Sequence, residues 1–313
     1  MLESSTPGRK SSDLEAPPST SSPNPAPHAL LSELPTIVIQ PSGSRVGLQL
    51  PELWSYRELL YFLMWRDIRV RYKQTVLGAA WAIIQPLATM VLATLIFGRL
   101  AGLGAKTGAV PYSLFVLAGL VLWTFFSTAV TNSGGSLIGS ANLLTKIYFP
   151  RLIIPAAAVG ACTIDLVVSF AVLAALLLWN GFSPGAGWLL IPFLAILTAL
   201  LALGVGTLVA ALSVKYRDIH RALPFVISLG IYAAPIFWAP EMFGGTAAFS
   251  IGRWEKILAL NPLGGILGAF RAALFGHAIP WGALGFSILF TLGLLVFAAY
   301  TFRRLEKNFA DVI

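Results

Sequence analysis

The sequence is short of charge. Asp, Glu, Lys and Arg make up 11% of its 313 residues, against 57% hydrophobic residues. A soluble domain carries about a quarter charged residues, so this balance excludes a soluble enzyme or binding module and indicates an integral membrane protein. A single cysteine, Cys162, excludes an intrachain disulfide. Three scattered histidines, His28, His220 and His277, offer no metal-ligand spacing, so no metal site is expected. There is no G-x-x-x-x-G-K-S/T phosphate loop. Gly102-Leu103-Gly104-Ala105-Lys106-Thr107 is faintly similar but lacks the spacing. No Ser/His/Asp set and no paired carboxylates are visible, so no catalytic residue is assigned. Asp165 is the one carboxylate well inside an apolar run. An ionisable residue at that depth is a functional candidate by default. The bland alternative is a hydrogen bond to Thr163, Ser169 or a neighbouring helix. One aspartate is a thin proton relay, so an engine driven by an ion gradient is not expected.

What the chain does have is apolar length. Residues 1–45 are rich in proline and serine and read as a disordered cytoplasmic tail. They hold no early apolar run, and no cleavable signal peptide is expected. Residues 46–313 then read as one all-α integral membrane domain, because backbone exposed to lipid must satisfy its hydrogen bonds within its own segment. A span needs about 20 apolar residues. Six transmembrane helices are expected, at roughly 77–98, 111–132, 152–179, 188–213, 222–239 and 281–302. The third and fourth form a tight hairpin through Asn180-Gly181, flanked by Trp179 and Trp188 as interfacial aromatics. The net charge of +8 suggests nucleic acid, but the positive residues sit beside spans and act as topology signals. Most fall on the side of Arg66–Lys73, Lys146, Arg151, Lys215–Arg221 and Arg303–Lys307. That side is therefore cytoplasmic, and both termini lie there. The segment 257–279 is apolar enough for a seventh span, but Asn261-Pro262, Gly264-Gly265 and the central Arg271 interrupt it. It is expected to be a re-entrant pair of short helices on the outer side, between spans five and six.

Four segments are candidates for mechanism. A helix over 53–74 places Trp54, Tyr61, Trp65, Ile68 and Tyr72 on one face, beside a strip of Arg66, Arg69 and Lys73. Asp67 and Arg71 have the spacing of an i,i+4 ion pair. Such a helix lies in the membrane interface, either as a plain anchor or as a contact for lipid phosphate at an entrance. Residues 137–149 include Asn142 to Tyr148, a short helix stopped before Pro150. Its Leu143-Leu144-Ile147-Tyr148-Phe149 patch needs covering, which suits docking on a partner. The loop at 215–221 carries Arg217, read as a topology signal or as a phosphate contact at the cytoplasmic mouth. Trp123 and Phe126, one turn apart in the second span, are either core packing or a path for stacking sugars.

At this point the residues resemble a known family. Trp65-Arg66-Asp67-Ile68-Arg69-Val70-Arg71-Tyr72-Lys73-Gln74-Thr75-Val76-Leu77-Gly78-Ala79-Ala80-Trp81, with Gln85-Pro86-Leu87, is similar to the opening of permease subunits of type-2 ABC exporters for polysaccharide. These are the O-antigen, capsule and teichoic-acid export permeases. Further strings agree in order: Asn142 to Arg151, Lys215-Tyr216-Arg217-Asp218, Asn261-Pro262-Leu263-Gly264-Gly265, and Phe302-Arg303-Arg304-Leu305-Glu306. The likeness spans about 50–313.

The resemblance implies an inner-membrane permease made of two copies of this chain over two separate ATPase subunits. ATP and magnesium belong to those subunits, and no cofactor is bound by this chain. The substrate implied is a glycan on a polyprenyl-pyrophosphate carrier. Its head group is expected at Arg66, Arg69, Arg71, Lys73 and Arg217, where charge-assisted contacts favour phosphate. The glycan path is expected at Trp123 and Phe126. ATPase docking is expected at Asn142, Leu143, Lys146 and Tyr148 in a coupling helix over 137–149. The outer gate is expected at Asn261, Pro262, Gly264, Gly265 and Arg271. A permease for a drug or small lipid would share the fold. An integral-membrane enzyme acting on polyprenyl-linked sugar would need clustered carboxylates, and Asp67, Asp165 and Asp218 lie far apart in this topology. A passive channel would not need a docking helix.

Overall fold

A computed structural model describes residues 54–73, 80–140, 143, 149–238 and 261–306, all within the compact unit Val46–Ile313. Their regular elements are all helical, with no strand among the described residues. In chain order, α1 is Arg57–Lys73, α2 Ala80–Ala93, α3 Tyr112–Gly139, α4 Ile153–Trp179, α5 Ile191–Lys215, α6 Arg217–Ala233, α7 Pro262–Phe275 and α8 Trp281–Glu306. A π-helical turn over Thr94–Leu100 prolongs α2, and a 3-10 turn over Ala186–Leu190 leads into α5.

Five of the described helices are long and apolar enough to cross a membrane: Ala80–Leu100, Tyr112–Gly139, Ile153–Trp179, Ala186–Lys215 and Trp281–Glu306. They match five of the six expected spans. The remaining segment, expected at 222–239, differs. Its helix starts at Arg217, directly after the extended residue Tyr216, so the expected loop at 215–221 is a one-residue turn. Asp218 in the first turn and its pairing with Arg221 favour that early start. α6 then stops at Ala233, because Ala234 is extended before Pro235. Its 17 residues rise about 25 Å.

The helix α3 is the centre of the bundle. It packs on α4 and α5, and small residues allow close approach. A Cβ on Gly206 of α5 would lie 2.5 Å from the hydroxyl of Ser133 on α3. The α4–α5 hairpin forms as expected: Gly181 takes φ 83°, and the amide of Phe182 donates to the carbonyl of Leu177. Trp179 is 90% exposed, as an interfacial residue would be. Trp188 instead turns inward, donating to the Leu274 carbonyl and packing edge-on against Phe170.

Beyond α6 the break is held by side chains. Arg271 is 7% exposed. Its guanidinium donates to the carbonyls of Phe115, Pro235 and Ile236 and lies 3.6 Å from the Phe115 ring. Asn261 caps α7 by accepting from the Leu263 amide, while its own amide donates to the last carbonyl of α6, on Ala233. Pro262 follows at the first helical position, where its missing N–H costs nothing. α7 spans 14 residues, about 21 Å. Residues 257–260, in the first part of the expected re-entrant pair, lie outside the described residues.

Gly265 shows how tightly α7 meets α8. A Cβ there would lie 2.4 Å from the Ala283 carbonyl oxygen and 2.3 Å from the Ser287 hydroxyl. At Gly264 the nearest neighbour, Pro235, is at an ordinary 3.5 Å. Gly265→Ala should therefore destabilise the fold by about 1–3 kcal/mol and lower the unfolding midpoint in mild detergent. Gly264→Ala should leave it unchanged or raise it slightly, since alanine is the better helix former.

Candidate functional site

The site grows from α1. Leu63 is its one fully buried side chain, and it packs into a second core with Ile153, Ile154 and Ala157 of α4. Met64 reaches Gly160, where a Cβ would meet its sulfur at 2.7 Å. Tyr61 and Trp65 on α1, and Trp54 just before it, are exposed. Tyr72 departs from the expected aromatic face and turns inward. It donates to the Asp165 carboxylate, which also accepts from Arg71. The amide of Asn132 and the guanidinium of Arg71 both approach the Cys162 sulfur, at 3.4 and 3.5 Å.

These contacts correct one expectation. Asp67 does not pair with Arg71; it accepts from Arg66, 2.9 Å away. Arg71 goes to Asp165 instead because that carboxylate is less exposed (21%), and charge pairing is stronger where water is scarcer. Burial works against the charge on Arg71. Cys162 and the Asp165 carboxylate outweigh that and raise its pKa above the ordinary guanidinium range, so it stays charged. Burial, then the hydrogen bond to Asp165, push the Tyr72 phenol up to about 12. Tyr72 therefore keeps its proton and remains a donor at neutral pH.

Between α1, the end of α3, the start of α4 and the start of α6 lies a cavity of about 500 Å³. Arg66, Asp67 and Arg71 line it from α1, Asn132 and Ser136 from α3, and His220 from α6. Arg66 and Arg71 thus line the same cavity. Arg69 is not part of the lining and lies over the Trp65 ring at 5.3 Å. Lys73 is exposed at the end of α1. The side chain of Arg217 lies outside the described residues, although its backbone opens α6, three residues before His220. Neither His220 nor Asn132 stands out as a site residue from sequence. The only signals were the position of His220 beside Lys215-Tyr216-Arg217-Asp218 and that of Asn132 where the second span was expected to end.

The other expected sites fall elsewhere. Trp123 is 9% exposed and packs against Phe126 with the rings tilted, centroids 5.9 Å apart. Its ring is seated against Gly230 of α6, where a Cβ would meet it at 2.8 Å. Asn142, Lys146 and Tyr148 lie outside the described residues. Leu143 is partly buried on the second core and Phe149 is buried in it, so these two members of the expected patch face inward. That core also takes Phe302 of α8, and Arg151 pairs with Glu306 at 3.8 Å. Two strings far apart in sequence, at 149–151 and 302–306, thus meet. Asn261, Pro262, Gly264, Gly265 and Arg271 cluster at the start and along the length of α7.

Removing the Asp165 carboxylate strands Arg71 in a half-buried setting. Asp165→Ala should cost about 2 kcal/mol, less than a fully buried pair because water screens part of it. Tyr72→Phe should cost about 1 kcal/mol. Thermal unfolding in detergent measures both, and limited proteolysis should show α1 cleaved faster in Asp165→Ala.

Comparison with known proteins agrees with this architecture. Residues 58–275 match the family model described as ABC-2 type transporter. The chain is 29% identical over 259 residues to the O-antigen export system permease protein RfbA of Klebsiella pneumoniae, covering 82% of this chain and 95% of that protein. It is 25% identical to the protein of the same name from Myxococcus xanthus, covering 84% and 98%. It is 23% identical to the polysialic acid transport protein KpsM of Escherichia coli, covering 78% and 92%. With the family model matched from α1 through α7, the chain belongs to the ABC-2 type transporter family, as a multi-pass membrane permease.

Proposed function

We propose that this chain is the channel-forming permease of an ATP-driven exporter. It moves a polysaccharide, carried on a polyprenyl diphosphate, out of the cytoplasm across the inner membrane. Two copies form the channel, and two separate ATPase subunits supply hydrolysis of magnesium-bound ATP. The names of the relatives support the polysaccharide class. The observation that carries the reading is the cavity beside α1, where Arg66 and Arg71 stand over a polar wall of Asn132 and Ser136. A neutral substrate would have no use for two guanidinium groups held at such a wall. Charge-assisted bonds to phosphate do.

In this reading α1 is the interface helix and residues 46–313 are the transport domain. Both termini are cytoplasmic, α6 completes a sixth span, and α7 belongs to a re-entrant outer gate. The gate is held by Asn261, Pro262, Gly264, Gly265 and Arg271. The head group enters beside Arg66 and Arg71, with Arg69, Lys73 and Arg217 drawing it from the lipid surface. Phe126, the more open ring of its pair, lies on the sugar path, and Trp123 shapes the wall behind it. The segment 137–149 couples to the ATPase. Asn142, Lys146 and Tyr148 make the contact, and Leu143 roots the segment on the core.

Co-expression with the neighbouring ATPase gene and export of a lipid-linked glycan into vesicles test this. Arg66→Glu should cut export at least tenfold while the ATPase still elutes with the permease. Tyr148→Asp should abolish both co-elution and export. Undiminished export by Arg66→Glu would sink the head-group site, and co-elution retained by Tyr148→Asp would sink the docking segment.

A further inference from the structure

The charges lining the cavity are already committed. Arg66 is paired with Asp67, and Arg71 with Asp165, so the two cations and their two carboxylates cancel. Both guanidinium groups keep N–H donors for a phosphate, but their charge is already balanced, so a diphosphate head group meets no net positive charge among the described lining residues. The polar residues of α3 add hydrogen bonds but no charge. One lining residue, His220, carries an imidazole, the side-chain type that most readily accepts a proton near neutral pH. Its Nδ1 is buried and has no hydrogen-bond partner among the described residues. An orphaned buried nitrogen is costly unless something else occupies it.

The ring is also seated closely. A Cβ on Gly135 of α3 would lie 2.8 Å from its Cε1 and 3.4 Å from its Nδ1, so glycine at 135 is what admits the imidazole to the wall. The groups around it are few. From α1 they are Arg66, Asp67 and Arg71, with Tyr72 and the Asp165 and Cys162 of α4 behind Arg71. From α6 itself they are Asp218 and Arg221, a pair at 3.9 Å that is almost wholly exposed. None of these donates to or accepts from its Nδ1.

We infer that His220 makes this cavity selective for a diphosphate, by taking up one proton as the head group enters and donating from Nδ1 to a phosphate oxygen. This rests on the head-group reading given above. One proton passes from solvent to the imidazole, no bond to phosphorus breaks, and the charge the two arginines cannot spare is supplied on demand. A monophosphate, with less charge to balance, gains less from it.

Binding of polyprenyl diphosphate, polyprenyl monophosphate and uncharged polyprenol to the full-length chain in lipid nanodiscs tests this, at pH 6 and pH 8. His220→Asn and His220→Gln keep a neutral polar group in place of the ring. Gly135→Ala displaces the ring without removing it, so the test stands even if one variant fails to fold. The ligand's own titration is common to all proteins and cancels in the ratio of variant to wild-type Kd. For diphosphate that ratio should be about tenfold at pH 6, the worth of one charge-assisted bond over a neutral one, and near one at pH 8. For monophosphate it should be smaller at both. Equal Kd for wild type and variants, or a loss that does not depend on pH, would overturn the role of His220. Wild-type protein that binds diphosphate no better than polyprenol would overturn the head-group reading itself.

Discussion

The ion pair between Arg71 and Asp165 fixes the position of everything at one end of the bundle. A carboxylate among apolar residues in the middle of α4 is costly unless it is paired. Its partners come from the last turn of α1, so pairing obliges that helix to lie along α4. Leu63 and Met64 then fill the remaining gap against Ile154, Ala157 and Gly160. With α1 held there, space remains between it and the end of α3, and this space is the cavity. Tyr61 and Trp65 of α1 are left exposed on its other side. One half-buried ion pair thus links a sequence feature, a helix position and a cavity.

The far end of the bundle follows a second constraint. Where a helix ends inside an apolar setting, its free carbonyls need donors. The end of α6 obtains them from Asn261, and the extended stretch after it from Arg271. A guanidinium is suited to this, since its several N–H groups can serve carbonyls from different segments at once. Arg271 serves Phe115 of α3 as well, so α3, the break after α6 and α7 are joined through one side chain. A loss there would be felt at three backbone segments rather than one.

Much of this was legible in the sequence because apolar length and glycine punctuation are local signals. The spans at α2, α3, α4, α5 and α8 follow from length alone, and the Asn180-Gly181 hairpin from its turn residues. The site was half legible. Arg66 and Arg71 stood out as basic residues on an aromatic helix. Which carboxylate each would choose did not, because Asp67 is near in sequence while Asp165 is near only in space. His220 was missed for the same reason: its significance comes from Gly135 and the cavity, both brought to it by folding. The start of α6 was placed too late because Lys215-Tyr216-Arg217-Asp218 reads as a charged loop. Only a one-residue turn at Tyr216 lets the helix begin there.

An anionic lipid head group is the proposed occupant of the cavity beside α1. The most direct measurement is photo-crosslinking with a polyprenyl diphosphate carrying its reactive group next to the phosphates, followed by mapping of the labelled peptides. Label is expected on residues 131–139 of α3 and 217–221 of α6. A second cavity, of about 400 Å³, lies at the far end, lined by residues of 181–187 and 273–276. Label there, or spread along the exposed face of α8, would contradict it.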